Sequence, residues 1–172
     1  MFDVLSRMVR TGILTEPLPD SGEVSPSAEA LQKSLRDMLG RALSIRHVDA
    51  GSCNGCELEI QAFHNPYYNL EGQGIQFVAS PRHADVLLVT GPISVNMEEA
   101  LKRTYDAVPD PKLVIAVGDC GACGGVFGQS YASRGSIANV IPVHRTIPGC
   151  PPSPTAILLG ILEAVCAVRI EG

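Results

Sequence analysis

Three times in this chain a short apolar run ends in a cysteine bracketed by glycine. Residues 44–50 lead into Gly51-Ser52-Cys53-Asn54-Gly55-Cys56 and residues 113–117 into Gly118-Asp119-Cys120. A run at 140–143 leads towards Pro148-Gly149-Cys150. The continuous apolar stretch at 113–117 is the kind a fully buried parallel strand requires. Two further strands are expected at 75–79 and 85–90.

Helical patterns separate these strands. Leu31, Leu35 and Leu39 repeat at i, i+4 and i+8, with Ser25 or Ser27 as cap. Cys56 opens a second helix through Leu58, Ile60 and Phe63, ending near Asn65-Pro66. Asn96 and Glu99 form a capping-box pattern for a third, with Met97, Leu101 and Tyr105 as its periodic positions. Ser153 as N-cap and Pro154 at the first position open the last helix. Alternating strands and helices predict an α/β fold with a mainly parallel, doubly wound sheet. The linkage at 80–84 is short for a parallel crossover. Either it is one helical turn or the second strand pairs differently.

Ligands of such sheets bind outside the carboxyl ends of the strands. The three cysteine-bearing segments follow strands, so they converge on one edge. Four thiolates from three loops suit a [4Fe–4S] cluster, and the ligand set read from strand ends is Cys53, Cys56, Cys120 and Cys150. The surrounding glycines let backbone N–H groups approach the sulfurs. Cys123 is the alternative to Cys120, which lies closer to its strand end. Cys166 falls within the apolar last helix and is expected to be a buried, inert thiol. A thioredoxin-type dithiol at Cys53 and Cys56 would leave Cys120 and Cys150 idle. A four-thiolate zinc site usually draws its ligands as two close pairs, a pattern that Cys120 and Cys150 break. Glu57 and Glu59 flank the first site, either as favourable charge at a helix N-terminus or as a proton-carrying carboxylate. The four histidines share no spacing and read as surface or hydrogen-bonded residues.

Composition closes other routes. A hydrophobic fraction of 45% with 18% charged residues argues for a packed domain. A net charge of −5 without a basic cluster excludes nucleic-acid binding. The start of the chain lacks a secretory pattern. The longest apolar run, 156–168, contains Glu163 and falls short of the roughly 20 residues that span a bilayer. Residues 1–26 read as an amphipathic segment and a proline-rich linker, and residues 27–172 as a single domain.

The segments Asp49-Ala-Gly-Ser-Cys-Asn-Gly-Cys-Glu-Leu-Glu-Ile60, Ser80-Pro-Arg-His-Ala-Asp-Val-Leu-Leu-Val-Thr-Gly91, Gly118-Asp-Cys-Gly-Ala-Cys-Gly-Gly125 and Ile147-Pro-Gly-Cys-Pro-Pro152 carry a family resemblance. Together they resemble the small subunits of energy-converting [NiFe]-hydrogenases of the formate hydrogenlyase and hydrogenase-4 type. They are also similar to the 20-kilodalton subunit of respiratory complex I. The resemblance covers residues 28–168 and implies a flavodoxin-like iron–sulfur domain in an oxidoreductase complex. It implies one electron-transferring cluster on Cys53, Cys56, Cys120 and Cys150, next to a catalytic centre held by a large partner subunit.

The other implied partners are a ferredoxin-like two-cluster subunit and membrane subunits, at the cytoplasmic face of the cell membrane. Glu57 and Arg82 are expected at the rim of the large-subunit contact or on a proton path. The Cys-x-x-Cys spacing is that of the hydrogenases, whereas complex I subunits carry adjacent cysteines there. Neither a twin-arginine signal nor a second cluster domain, both found in periplasmic uptake hydrogenases, is seen. A quinone-reducing, complex I-like role is the alternative, and a stand-alone dithiol or zinc protein the more distant one.

Overall fold

The computed structural model describes residues 40–168. The amino-terminal amphipathic segment, the linker and the leucine-patterned helix at its end lie outside the described residues.

Five strands form one all-parallel sheet in the order β2-β1-β3-β4-β5. They are β1 (Leu43–Asp49), β2 (Ile75–Phe77), β3 (Val86–Thr90), β4 (Leu113–Val117) and β5 (Arg145–Ile147). The central strands β3 and β4 are buried along their whole length, as their unbroken apolar runs require. Helices α1 (Gly55–Gln61), α2 (Val95–Ala107), α3 (Gly118–Cys123) and α4 (Pro154–Val168) complete the chain. One layer packs Cys56, Ile60 and Phe63 with Ile157, Ile161 and Ala164 of α4 against Ile45, Leu88 and Ile115. The other packs Leu101, Ile137 and Ile141 against Val48, Val89 and Ala116. Alternate strand residues thus feed opposite layers, the doubly wound arrangement.

The short linkage between β2 and β3 is resolved by register. Phe77 and Val86 both lie beside Ile45 of the intervening strand, so the chain crosses β1 without travelling back along it. A single 3-10 turn, Pro81–His83, suffices.

Several expectations shift. Helix α2 starts at Val95 with Ser94 in the cap position, so Asn96 and Glu99 lie inside it and form no capping box. Glu99 instead accepts from Arg103 one turn on, at 2.8 Å. The apolar run at 140–143 is not a strand. Ile141 is buried beneath the sheet, and the ladder with β4 starts only at Arg145, opposite Ile115. An edge strand with two exposed residues carries little apolar signal, which is why the neighbouring run attracted the assignment. Cys166 is exposed rather than buried. The inward positions of α4 are Ile157, Ile161 and Ala164, and Cys166 lies about 200° around the helix from Ala164.

Candidate functional site

Every cysteine-bearing loop leaves the carboxyl edge of the sheet, and side-chain-to-backbone bonds shape each one. After β1, Asp49 Oδ1 accepts the amides of Gly51 and Ser52, both at 2.8 Å. The Ser52 hydroxyl accepts the Asn54 amide at 3.1 Å. Asn54 takes a left-handed conformation, φ 71°, which turns the chain from Cys53 into α1. These amides hold the Asp49 carboxyl below its ordinary range, against the opposing effect of burial.

The loop after β3 carries no cysteine but braces the first one. A Cβ on Gly91 would stand 2.5 Å from the Ser52 amide nitrogen. After β4 the chain enters α3 directly, so Cys120 lies on a helical turn rather than in an open loop. Asp119 ties this turn to the third loop: its amide donates to the Gly149 carbonyl, and its carboxylate accepts the Gly149 amide, both at 2.9 Å. Cys150 follows at once.

The thiol of Cys56 lies within electrostatic reach of Cys53, Cys120 and Cys150. Cys56 is buried and its thiol is pushed up to about 12, first by that burial and then by Glu57, Cys120, Cys53 and Cys150. Cys120 is half-buried and also raised, by burial and then by Cys150 and Cys53 ahead of Asp119 and Cys123. Cys53 and Cys150 are exposed. Thiols that disfavour one another's ionisation in this way are natural sites for a cation to bind and displace their protons.

Glycine makes room for the sulfurs. A Cβ on Gly118 would lie 2.7 Å from Cys56 Sγ and 3.3 Å from the Gly149 carbonyl oxygen, and one on Gly125 would lie 2.7 Å from Cys120 Sγ. Cys123 is exposed, and its thiol donates to the Asp119 carbonyl at 3.2 Å. Among the described residues no three His, Cys, Asp or Glu side chains are placed to hold a single metal ion.

Of the two expected rim residues, Glu57 stands beside the first cysteine loop and Arg82 does not. Arg82 is exposed on the turn that precedes β3, at the end of that strand away from the cysteine loops. Glu57 is turned inward and 7% exposed, with His47 Nε2 3.9 Å from its carboxyl. His47 also shares a 3.0 Å hydrogen bond with Thr90 Oγ1. Burial lowers the His47 pKa, outweighing the attraction of Glu57 and Asp49. Strand alternation alone could have found His47, which shares the α1-facing side of β1 with Leu43 and Ile45.

Some of the exposed large apolar residues follow the cysteines closely in sequence. Leu58 follows Cys56 by two positions, and Val126, Phe127 and Tyr131 follow the Gly124-Gly125 turn, with Val126 and Tyr131 more than 90% exposed. No described helix is long and apolar enough to cross a membrane.

Comparison with known proteins agrees with this architecture. The chain is 47% identical over 127 residues to the probable membrane-bound hydrogenase subunit mbhJ of Pyrococcus furiosus, covering 74% of this chain and 76% of the relative. It is 40% identical over 148 residues to formate hydrogenlyase subunit 7 of Escherichia coli, covering 86% of this chain but 58% of that protein. Among solved structures, a chain of the membrane-bound sulfane sulfur reductase, an archaeal respiratory membrane complex, superposes with a TM-score of 0.65 at 30% identity. That match covers 80% of this chain and 73% of the other. A chain of an NAD+-reducing [NiFe]-hydrogenase shares the fold, with a TM-score of 0.57 at 18% identity over 74% of this chain and 93% of that one. The family model described as NADH ubiquinone oxidoreductase, 20 Kd subunit, matches residues 53–164, and the chain belongs to that family of oxidoreductase subunits.

Proposed function

We propose that this chain is the electron-transfer subunit of a membrane-associated, [NiFe]-hydrogenase-like complex, and that it holds one [4Fe–4S] cluster on Cys53, Cys56, Cys120 and Cys150. The observation that carries this reading is that three loops meet at one sheet edge, with Gly118 between Cys56 Sγ and the Gly149 carbonyl and Gly55 between Cys53 Sγ and Pro151. Cys123 also acts on Cys120, but its own thiol is bonded to the Asp119 carbonyl of the same helix. The donor set is the four-thiolate set such a cluster takes. A cubane spreads its thiolates over four irons, so its ligands need not meet at one point. The cradle fits as well, since Gly118 and Gly125 leave the volume beside two sulfurs that any side chain would fill.

When bound, the cluster supplies one-electron transfer. The protein's own contribution is placement. Asp119 locks the Cys120 turn to the Cys150 loop, Asp49 fixes the Cys53 loop, and α1 buries Cys56 against the core. Electron transfer over this edge requires a partner's redox centre close by. Leu58, Val126 and Phe127 beside the loops offer the apolar surface for a large catalytic subunit. The chain then sits at the cytoplasmic face of the membrane, held by its partners, with a ferredoxin-like subunit as electron source or sink.

The hydrogenase-like assignment rests on the Cys53-x-x-Cys56 spacing and on the names of the relatives at 40–47% identity. A quinone-reducing complex of the complex I type uses the same subunit. The partner's sequence decides between them, through the presence or absence of two nickel-binding Cys-x-x-Cys pairs.

Anaerobic reconstitution with iron and sulfide tests the site. The wild type takes up about four irons per chain, with broad charge-transfer absorption in the visible. Cys53→Ala, Cys56→Ala, Cys120→Ala and Cys150→Ala each lose it, while Cys123→Ala and Cys166→Ala keep it. Loss in Cys123→Ala with retention in Cys120→Ala reverses the ligand assignment. A colourless, zinc-loaded wild type removes the cluster altogether.

A further inference from the structure

Beside the first cysteine loop, between β1, the end of β2 and α1, lies an open cleft of about 400 Å³. Asn54, the residue after Cys53, forms part of its wall. Glu57 also lines it, and both Glu57 carboxyl oxygens are shut off from solvent with no hydrogen-bond partner. His47 Nε2, at 3.9 Å, is beyond hydrogen-bond range. Arg46 also contributes to the wall, and its Nε is buried and without a hydrogen-bond partner. Buried polar groups left without partners are rare and costly, and here both oxygens of one carboxyl group are in that state.

Apart from Gln61, the rest of the wall is apolar or aromatic. Ile60, Val78 and Ala79 line it, together with Phe77, whose ring lies 5.3 Å from that of His64.

We propose that this cleft receives one arginine side chain of the partner subunit that covers the cysteine loops. The proposal rests on the reading above that a partner lies over this edge. Two orphaned oxygens on one carboxyl group match the two parallel N–H groups of a guanidinium, which an ammonium point charge cannot satisfy together. The Phe77 ring offers a face on which a guanidinium stacks. Ile60, Val78 and Ala79 accept the aliphatic stem. The fit accounts for Glu57 being held inward without a partner inside its own chain. The arginine anchors the partner next to Asn54 and so fixes its distance from the cysteine loops.

The test uses the co-expressed complex, tagged on this chain, with Glu57→Gln, Glu57→Met and Phe77→Leu. Partner affinity, iron content and the melting temperature of the chain alone are measured for each. Removing one side of a desolvated charged pair weakens association about thirtyfold or more. Glu57→Gln and Glu57→Met therefore lose partner affinity on that scale, and Phe77→Leu loses a smaller factor, all with wild-type iron content. In the chain alone, Glu57→Met replaces orphaned oxygens by an apolar group of similar shape, so its melting temperature holds or rises. Scanning the partner's arginines to alanine finds one with the same loss as Glu57→Met.

Unchanged affinity in Glu57→Met, a scan in which no arginine matters, a clear drop in melting temperature of the isolated variant, or a wild-type chain that holds no partner each overturns the proposal. A wild-type complex that assembles without iron refutes the cluster instead. Affinity is read separately, so the two failures are told apart.

Discussion

Replacing Gly118 by alanine separates the space that the cysteine cradle needs from ordinary backbone strain. Gly118 has φ 81°, and a Cβ there would stand 2.7 Å from Cys56 Sγ. The positive φ alone disfavours an L-residue by roughly 1–2 kcal/mol. Overlap with a buried sulfur and the adjoining Gly149 carbonyl adds the strain of overpacking, about 1–3 kcal/mol. The control is Gly74→Ala, at φ 85° with nothing within 4 Å of its Cβ, which isolates the backbone contribution. In a domain of this size each kcal/mol lowers the melting temperature by about 2–4 °C. Circular-dichroism melts should therefore place Gly74→Ala roughly 2–8 °C below wild type, and Gly118→Ala a further 2–12 °C lower. Iron uptake on reconstitution should be full in Gly74→Ala and reduced in Gly118→Ala, whose Cys56 sulfur is displaced. Equal melting temperatures and equal iron in the two variants would refute the reasoning, because Gly118 would then be needed only for its φ.

Other perturbations probe separate parts of the argument. Ile161→Ala, at a fully buried site where α4 meets the sheet, should cost about 2–5 kcal/mol in denaturant unfolding. His47 has a folded pKa below the ordinary 6.5, so its contribution is present above 6.5 and lost as pH falls towards the folded value. The isolated chain should thus lose stability on acidification below 6.5, and His47→Gln should flatten that part of the profile in melts across the range. Phe127→Ser, at an exposed position, should leave the melt unchanged and weaken capture of the large subunit in pull-downs from the co-expressed complex.

Much of the fold and the site could be read from local pattern, because both follow rules of short range. Runs such as 86–90 and 113–117 are buried on both faces, so every residue is apolar and the strand announces itself. Ser153 and Pro154 open α4 where their backbone preferences put them, the Ser153 hydroxyl accepting the Ala156 amide at 3.3 Å. The cysteines could be assigned to one edge before any coordinates, since parallel strands all present their carboxyl ends on the same side.

Other features depend on neighbours distant in the chain. Edge strand β5, with Arg145 and Thr146 exposed, was hidden behind the more apolar 140–143 run, and only its pairing with Ile115 and Ala116 reveals it. The brevity of the 80–84 linkage made sense only once Phe77 and Val86 were seen level with Ile45. Glu57 looked like surface charge beside a cysteine, and its burial against His47 comes from the angle at which α1 settles on β1.

What the amino-acid sequence determined by itself was therefore the parallel α/β class and the sheet edge at which the cysteine loops stand. Each of these follows from residue type and spacing along a few consecutive positions. Tertiary structure alone decided that Cys123 bonds back to Asp119, that Cys166 lies outside, and that Glu57 lines a cleft with both carboxyl oxygens unpaired. Those outcomes depend on how helices rotate and seat against the sheet. Such packing balances contributions from many distant side chains, and no local stretch of sequence contains it.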